Sequence, residues 1–176
     1  MSIAGVTFAP LAGLTPPRPI TVKFDATVYT IRGAMADVWL QGWAQWSVDR
    51  VMLAMLEGKA DEYRYFRSMS RGPEGAAAAI EASRRLFGQA AGTDWWTADR
   101  LAFQSLGWAG IGGELYSQGL RPAEVPLAVW LAGAFRVLMQ STAKESRAAV
   151  EGSLMMPPDG YDTGELPQDA SEFFTP

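Results

Sequence analysis

The stretch DWWTADRLAFQSLGWAGIGGEL, residues 94–115, decides how this chain is read. It holds three of the seven tryptophans and closes on Gly110-Ile111-Gly112-Gly113. As a loop, that run would suggest a phosphate cradle; in a helix, it would only let another backbone come close. The local signals favour a helix. Thr93 and Asp94 offer cap and dipole groups ahead of Trp95, and Gly119 followed by Arg121-Pro122 supplies a stop. Between them Arg100, Gln104, Glu114 and Gln118 fall on one narrow stripe, while Leu101, Leu106, Trp108, Ala109 and Leu115 occupy the rest. A phosphate loop needs a strand before it, a helix after it and usually a lysine behind its glycines, where this chain has Glu114. One mostly buried helix is therefore expected here. Glycine inside a helix costs about 1 kcal/mol against alanine, so Gly110, Gly112 and Gly113 are expected to be points of close helix packing.

Downstream, Pro126 can begin a helix with Leu127, Trp130, Leu131, Ala134 and Leu138 on its core side, fading near Ser141. Thr142 and Glu145 match a capping box for a last helix through Val150 and Leu154, ending before Pro157-Pro158. Upstream, Pro73 opens a helix to about Gly88, with Ala76, Ile80 and Phe87 on one side and a Glu81–Arg85 pair. A short helix over ADEYRYFRSM (60–69) precedes it. Before that, a long first helix runs from Ala34 to Gly58, with Trp39, Trp43 and Trp46 at i, i+4, i+7, continued by Met52, Met55 and Leu56.

The ends read differently. Alternation in ITVKFDATVYTI, with a short Asp25-Ala26 break, predicts a β-hairpin over 20–32, which must pack on the helices or on a neighbouring subunit. Residues 1–19 carry Pro10, Pro16, Pro17 and Pro19 and form an extended arm. Residues 157–176 are acidic, turn-rich and poor in aliphatics, the composition of a tail. The fold class is therefore mainly α: a compact multi-helix domain (20–156) opening with a small N-terminal hairpin, flanked by extended N- and C-terminal segments.

Composition narrows the chemistry. The 176 residues are 48% hydrophobic, enough for one domain with a real core. Only 19% are charged and the net charge is −4, which argues against nucleic acid. The absence of both cysteine and histidine removes thiolate nucleophiles, the usual triad base, Cys/His zinc sites, haem ligation through His and disulfides. No metal or cofactor is expected. The N-terminus lacks a basic region and is broken by prolines, unlike a secretion signal, so a cytosolic product is the expectation. The apolar run at 125–139 is too short to cross a bilayer and carries Arg136. No membrane association is expected.

Several residues are candidates for contact or chemistry. The tryptophan stripe at 39, 43 and 46 reads as core. Trp95 and Trp96, adjacent on a helix, point about 100° apart, so one of them should face a partner. Arg64, Arg67 and Arg71 interleave with Tyr63, Tyr65 and Phe66, which makes Tyr65 and Arg67 interface candidates, with a solvated face as the alternative. Asp159, Asp162, Glu165, Asp169 and Glu172 do not follow a calcium-loop spacing and read as solvating charge. Glu114, taken as partly buried, could act as a base, although no second group at motif spacing supports it. Phe173 and Phe174, two aromatics on an acidic tether, suit a partner's groove.

The order of landmarks PPRPITVKFDATVYTI, a Trp-rich helix, WWTADRL, WAGIGGEL, RPAEVPLAVWLAG and SLMMPP resembles the tail assembly chaperones of long-tailed (siphovirus-type) bacteriophages of actinobacteria. The similarity spans about residues 18 to 158 and rests on a helical layout with Trp, Gly and Pro landmarks, without a catalytic signature. It implies a non-enzymatic chaperone in the host cytoplasm during infection, absent from the mature virion. Such a protein binds the hydrophobic tape measure protein and helps recruit tail tube protein; self-association is compatible with it. A frameshifted longer form, common in such families, would diverge after Pro158. Two rivals stand beside this reading. One is a structural tail component, a completion or connector protein retained in the virion. The other is a small carboxylate-dependent enzyme built on Glu114.

Overall fold

The computed structural model describes residues 20–24, 27–31, 35–44, 72–107 and 109–161. Over these residues the chain is mainly α. Strands β1 (Ile20–Phe24) and β2 (Thr27–Ile31) run antiparallel, with Ile20 opposite Ile31 and Phe24 opposite Thr27. The helices are α1 (Ala36–Ala44), α2 (Pro73–Ala91), α3 (Trp95–Ser105), α4 (Ile111–Ser117), α5 (Leu127–Ser141) and, after a 3-10 turn at Lys144–Ser146, α6 (Arg147–Met155). The continuation of the first helix past Ala44, Trp46 and the expected helix over 60–69 fall outside the described residues.

Helix α5 is the centre of the packing and touches α1, α2, α3 and α4. Its Leu127, Trp130, Leu131 and Ala134 are buried, with Leu138 half-buried at the edge, the face expected from its periodicity. Trp39 of α1 and Phe87 of α2 are fully buried beside it, and Trp43 stacks flat on Phe87 with ring centroids 4.0 Å apart. The indole N–H of Trp43 donates to the Asp99 carboxylate of α3. The start of α1 is tied to the turn before α5: Ala36 N donates to Val125 O (2.9 Å) and Asp37 N to Pro122 O (3.1 Å). These bonds satisfy amides that a helix start otherwise leaves bare.

The stretch at 94–115 is not one helix. After Ser105 the chain leaves the helical path, turns through Gly107 and Gly110 with Gly110 N bonded to Gly107 O (3.2 Å), and begins again at Ile111. The cause is a close approach. A Cβ on Gly112 would overlap the Ser105 carbonyl oxygen and lie 3.0 Å from that of Gly107, so α4 folds back against the end of α3 as only glycine allows. Gly110 plays a different part from that expected: it is the exposed residue before α4, with nothing nearer its added Cβ than the Gly107 oxygen at 4.0 Å. Gly113 is half-buried on α4. Leu106 and Ala109, expected in the core, are exposed because the corner turns them outward.

Three further expectations are corrected. Gly88 does not end α2; the helix continues to Ala91, and Gly92 (φ +73°) ends it, with Thr93 N on Gly88 O and Gly92 N on Gln89 O. Gly88 is needed because a Cβ there would sit 2.8 Å from Thr93 O and 3.1 Å from Trp95 N, where the corner returns over the helix. Ile80, expected on the apolar side of α2, is 43% exposed. The capping box at Thr142 does not form: the Thr142 hydroxyl donates back to Leu138 O (2.7 Å), closing α5, and no side-chain cap bond opens α6. No helix among the described residues is long and apolar enough to cross a membrane.

Candidate interaction surface

Trp95 and Trp96 lie in the first turn of α3, after Asp94, which makes no side-chain cap bond. Both are half-buried, and their rings meet edge to face at 5.8 Å. Their company is the chain's own C-terminal segment. The ring of Tyr161 lies 5.5 Å from Trp95 and 5.3 Å from Trp96, and its hydroxyl donates to Glu81 Oε1 at 2.9 Å. Arg85, one turn along α2, donates to the same oxygen at 2.9 Å, the ion pair expected from the i, i+4 spacing. The Arg84 guanidinium lies over the Trp95 ring, 4.3 Å from its centroid. Burial lifts the Tyr161 hydroxyl above the usual tyrosine pKa. Glu81 adds to the rise as hydrogen-bond acceptor and as negative charge, against the Trp95 indole and Arg85.

The same end of α3 holds the end of α6. Trp96 Nε1 donates to Met155 O (2.9 Å) and Thr97 Oγ1 to Leu154 O (3.1 Å). One nitrogen of Arg100 meets three carbonyls, those of Ser153 (2.7 Å), Leu154 (2.8 Å) and Met156 (2.6 Å). A helix C-terminus presents unpaired carbonyls and partial negative charge, and α6 has no basic residue in its own last turn. Arg100 supplies the missing cation from another helix. Arg121, from the turn that follows α4, donates to Tyr116 O (2.7 Å) and Leu120 O (3.0 Å) while stacking over the Tyr116 ring.

Trp96, Arg100 and Phe103 share one helical face at i, i+4, i+7. Phe103 is 75% exposed and Leu106, one turn below it, is 46% exposed; Met156, just past the end of α6 and bonded through its carbonyl to Arg100, is 61% exposed. Sequence reasoning passed over Phe103 and Met156, and it placed Leu106 inside. The i+7 relation of Phe103 to Trp96 was the available signal. Tyr65, Arg67, Phe173 and Phe174 lie outside the described residues. Glu114, taken as partly buried from the sequence, is exposed on α4, where it accepts from Gln118 Nε2 at 2.8 Å. Among the described residues no group of three acidic side chains is arranged to hold a metal.

No known protein family matches the chain, no characterised protein is similar to it in sequence, and no solved structure matches its fold.

Proposed function

We propose that this chain is a non-enzymatic assembly chaperone of a bacteriophage tail. In this reading it acts in the host cytoplasm, binds the apolar helices of a tape measure protein, helps recruit tail tube protein and is left out of the finished virion. The observation that carries the reading is the apolar band along α3, where Phe103 and Leu106 stand exposed at 75% and 46%. A solvated aromatic and aliphatic pair on one helix side is a costly surface unless something covers it, and an apolar helix is the complementary partner. Met155 and Met156 at the top of the band add side chains that adapt to irregular apolar partners. The order of Trp, Gly and Pro landmarks supports the same assignment. Trp95 and Trp96, with Tyr65, Arg67, Phe173 and Phe174, complete the proposed contact set.

The test is a pull-down of the tagged protein from infected cells, with bound proteins and purified virions both analysed by mass spectrometry. Tape measure protein in the pull-down, lost on Phe103→Asp, with none of this chain in virions is the expected result. Stoichiometric presence in virions overturns it in favour of a structural tail component. One observation favours that second reading: β1 and β2 form a two-stranded sheet, and a sheet edge can add to a neighbour's sheet.

A further inference from the structure

Tyr161 is held by side chains alone. Beyond Met156 the chain is extended into Pro157 and Pro158, neither of which has an N–H to give. The one described main-chain hydrogen bond in this segment runs from Tyr161 N to Pro158 O (3.0 Å), inside its own turn, with Gly160 at φ +73°. That turn swings the phenol into a seat built wholly by other elements. Two walls are the indoles of Trp95 and Trp96, and the floor is Glu81, held in place by Arg85. The walls are firm, because α2 and α3 are joined through the tight corner at Gly88 and Gly92. The occupant arrives from a segment 80 residues away from its acceptor. A rigid seat with an aromatic cleft and one aligned acceptor, filled by a side chain with no main-chain tie, has the form of a ligand site rather than of a continuous core.

We propose that Glu81, Trp95 and Trp96 form a recognition site for a tyrosine carried at the end of a proline-led turn, and that its resting ligand is this chain's own Pro158–Tyr161 turn. The segment after Met156 is a detachable latch. While it is closed, the Tyr161 ring lies against both indoles and partly covers them; when Tyr161 withdraws, the site accepts the same turn from outside. The inference does not depend on the tail-chaperone reading.

A synthetic peptide of residues 155–162 (MMPPDGYD) is the probe, titrated into the full-length chain with tryptophan fluorescence and calorimetry as readouts. A short tether presents its group at an effective concentration on the order of millimolar, so the unaltered chain binds added peptide only at about that level. Tyr161→Ala leaves the seat empty and binds the peptide at least about ten-fold more tightly. A peptide with phenylalanine for tyrosine loses roughly ten-fold, because the charge-assisted hydrogen bond from the phenol to Glu81 is gone. Equal affinity of the two proteins, or indifference to the phenol, overturns the proposal. If Tyr161→Ala does not fold, the unaltered chain decides: unlabelled peptide at several times the effective concentration, on the order of 10 mM, must move the ring-proton resonances of the chain's own Tyr161 from positions shifted by the Trp95 and Trp96 rings to those of a solvated tyrosine. Unchanged Tyr161 resonances overturn the latch.

Discussion

The two ends of α3 are attached to the rest of the protein by opposite means. At its first turns Trp96, Thr97 and Arg100 reach out to the carbonyls of residues 153–156 through side chains. At its last turn the main chain itself is the contact, with the Ser105 carbonyl against Gly112. The Ser105 hydroxyl donates to Ala102 O (2.8 Å) and accepts from Trp130 Nε1 (2.9 Å). Side-chain ties can be loosened one at a time, whereas two backbones in contact either fit or do not. The upper end of α3 is thus suited to holding a segment that can leave, and the lower end to fixing the corner that exposes Leu106.

The largest expected effect attacks the backbone contact. Gly112→Ala puts a methyl into the Ser105 carbonyl, and neither wall is a flexible side chain. An overpacking cost of about 3 kcal/mol, reduced by about 1 kcal/mol of helix propensity, leaves a loss of roughly 2 kcal/mol in denaturant unfolding. A loss below about 0.5 kcal/mol would mean that the corner can relax and would break the comparison. Arg100→Ala comes next, at about 1–2 kcal/mol, since one cation is removed from three carbonyls in a partly exposed place. Its signature should be local: faster amide exchange over 153–161 with the α3–α4 corner unchanged. Gly152→Ala carries the opposite sign. This glycine lies in α6 with nothing within 4 Å of an added Cβ, so alanine should stabilise by about 0.5–1 kcal/mol.

The smallest effect is a titration. The folded pKa of Tyr161 lies above its unfolded value because burial and Glu81 disfavour the phenolate. The folded state therefore holds this proton more tightly. The contribution is fully present below the unfolded tyrosine pKa and is lost as pH rises through the folded one. Difference absorbance of phenolate between the unaltered chain and Tyr161→Phe should show one tyrosine ionising later than the ordinary value. Ionisation at or below the ordinary value would place Tyr161 in solvent and count against the seat.

Much of the body was legible because its signals are local. The α5 face of Leu127, Trp130, Leu131 and Ala134 and its end at Ser141 follow from apolar spacing. So do the Pro73 start of α2 and the Glu81–Arg85 pair. The candidate surface was legible in part. Adjacent tryptophans announced that both could not enter one core, but nothing near them in sequence named Tyr161 as their company.

By itself the sequence determined the helical class, the central apolar helix and the absence of thiol and imidazole chemistry, because periodicity and composition act within a few residues of each position. Tertiary structure alone decided what each glycine does. Gly88 and Gly112 are contacts and Gly92 is a stop, although all three look alike in a string of letters. It also decided that Leu106 faces out, that Arg100 caps a helix some 53–56 residues away, and that Tyr161 partly covers the indoles. The physical reason is the same in each case: a helix period fixes where a side chain points, but which backbone or ring waits there depends on a segment that arrives from elsewhere in the chain.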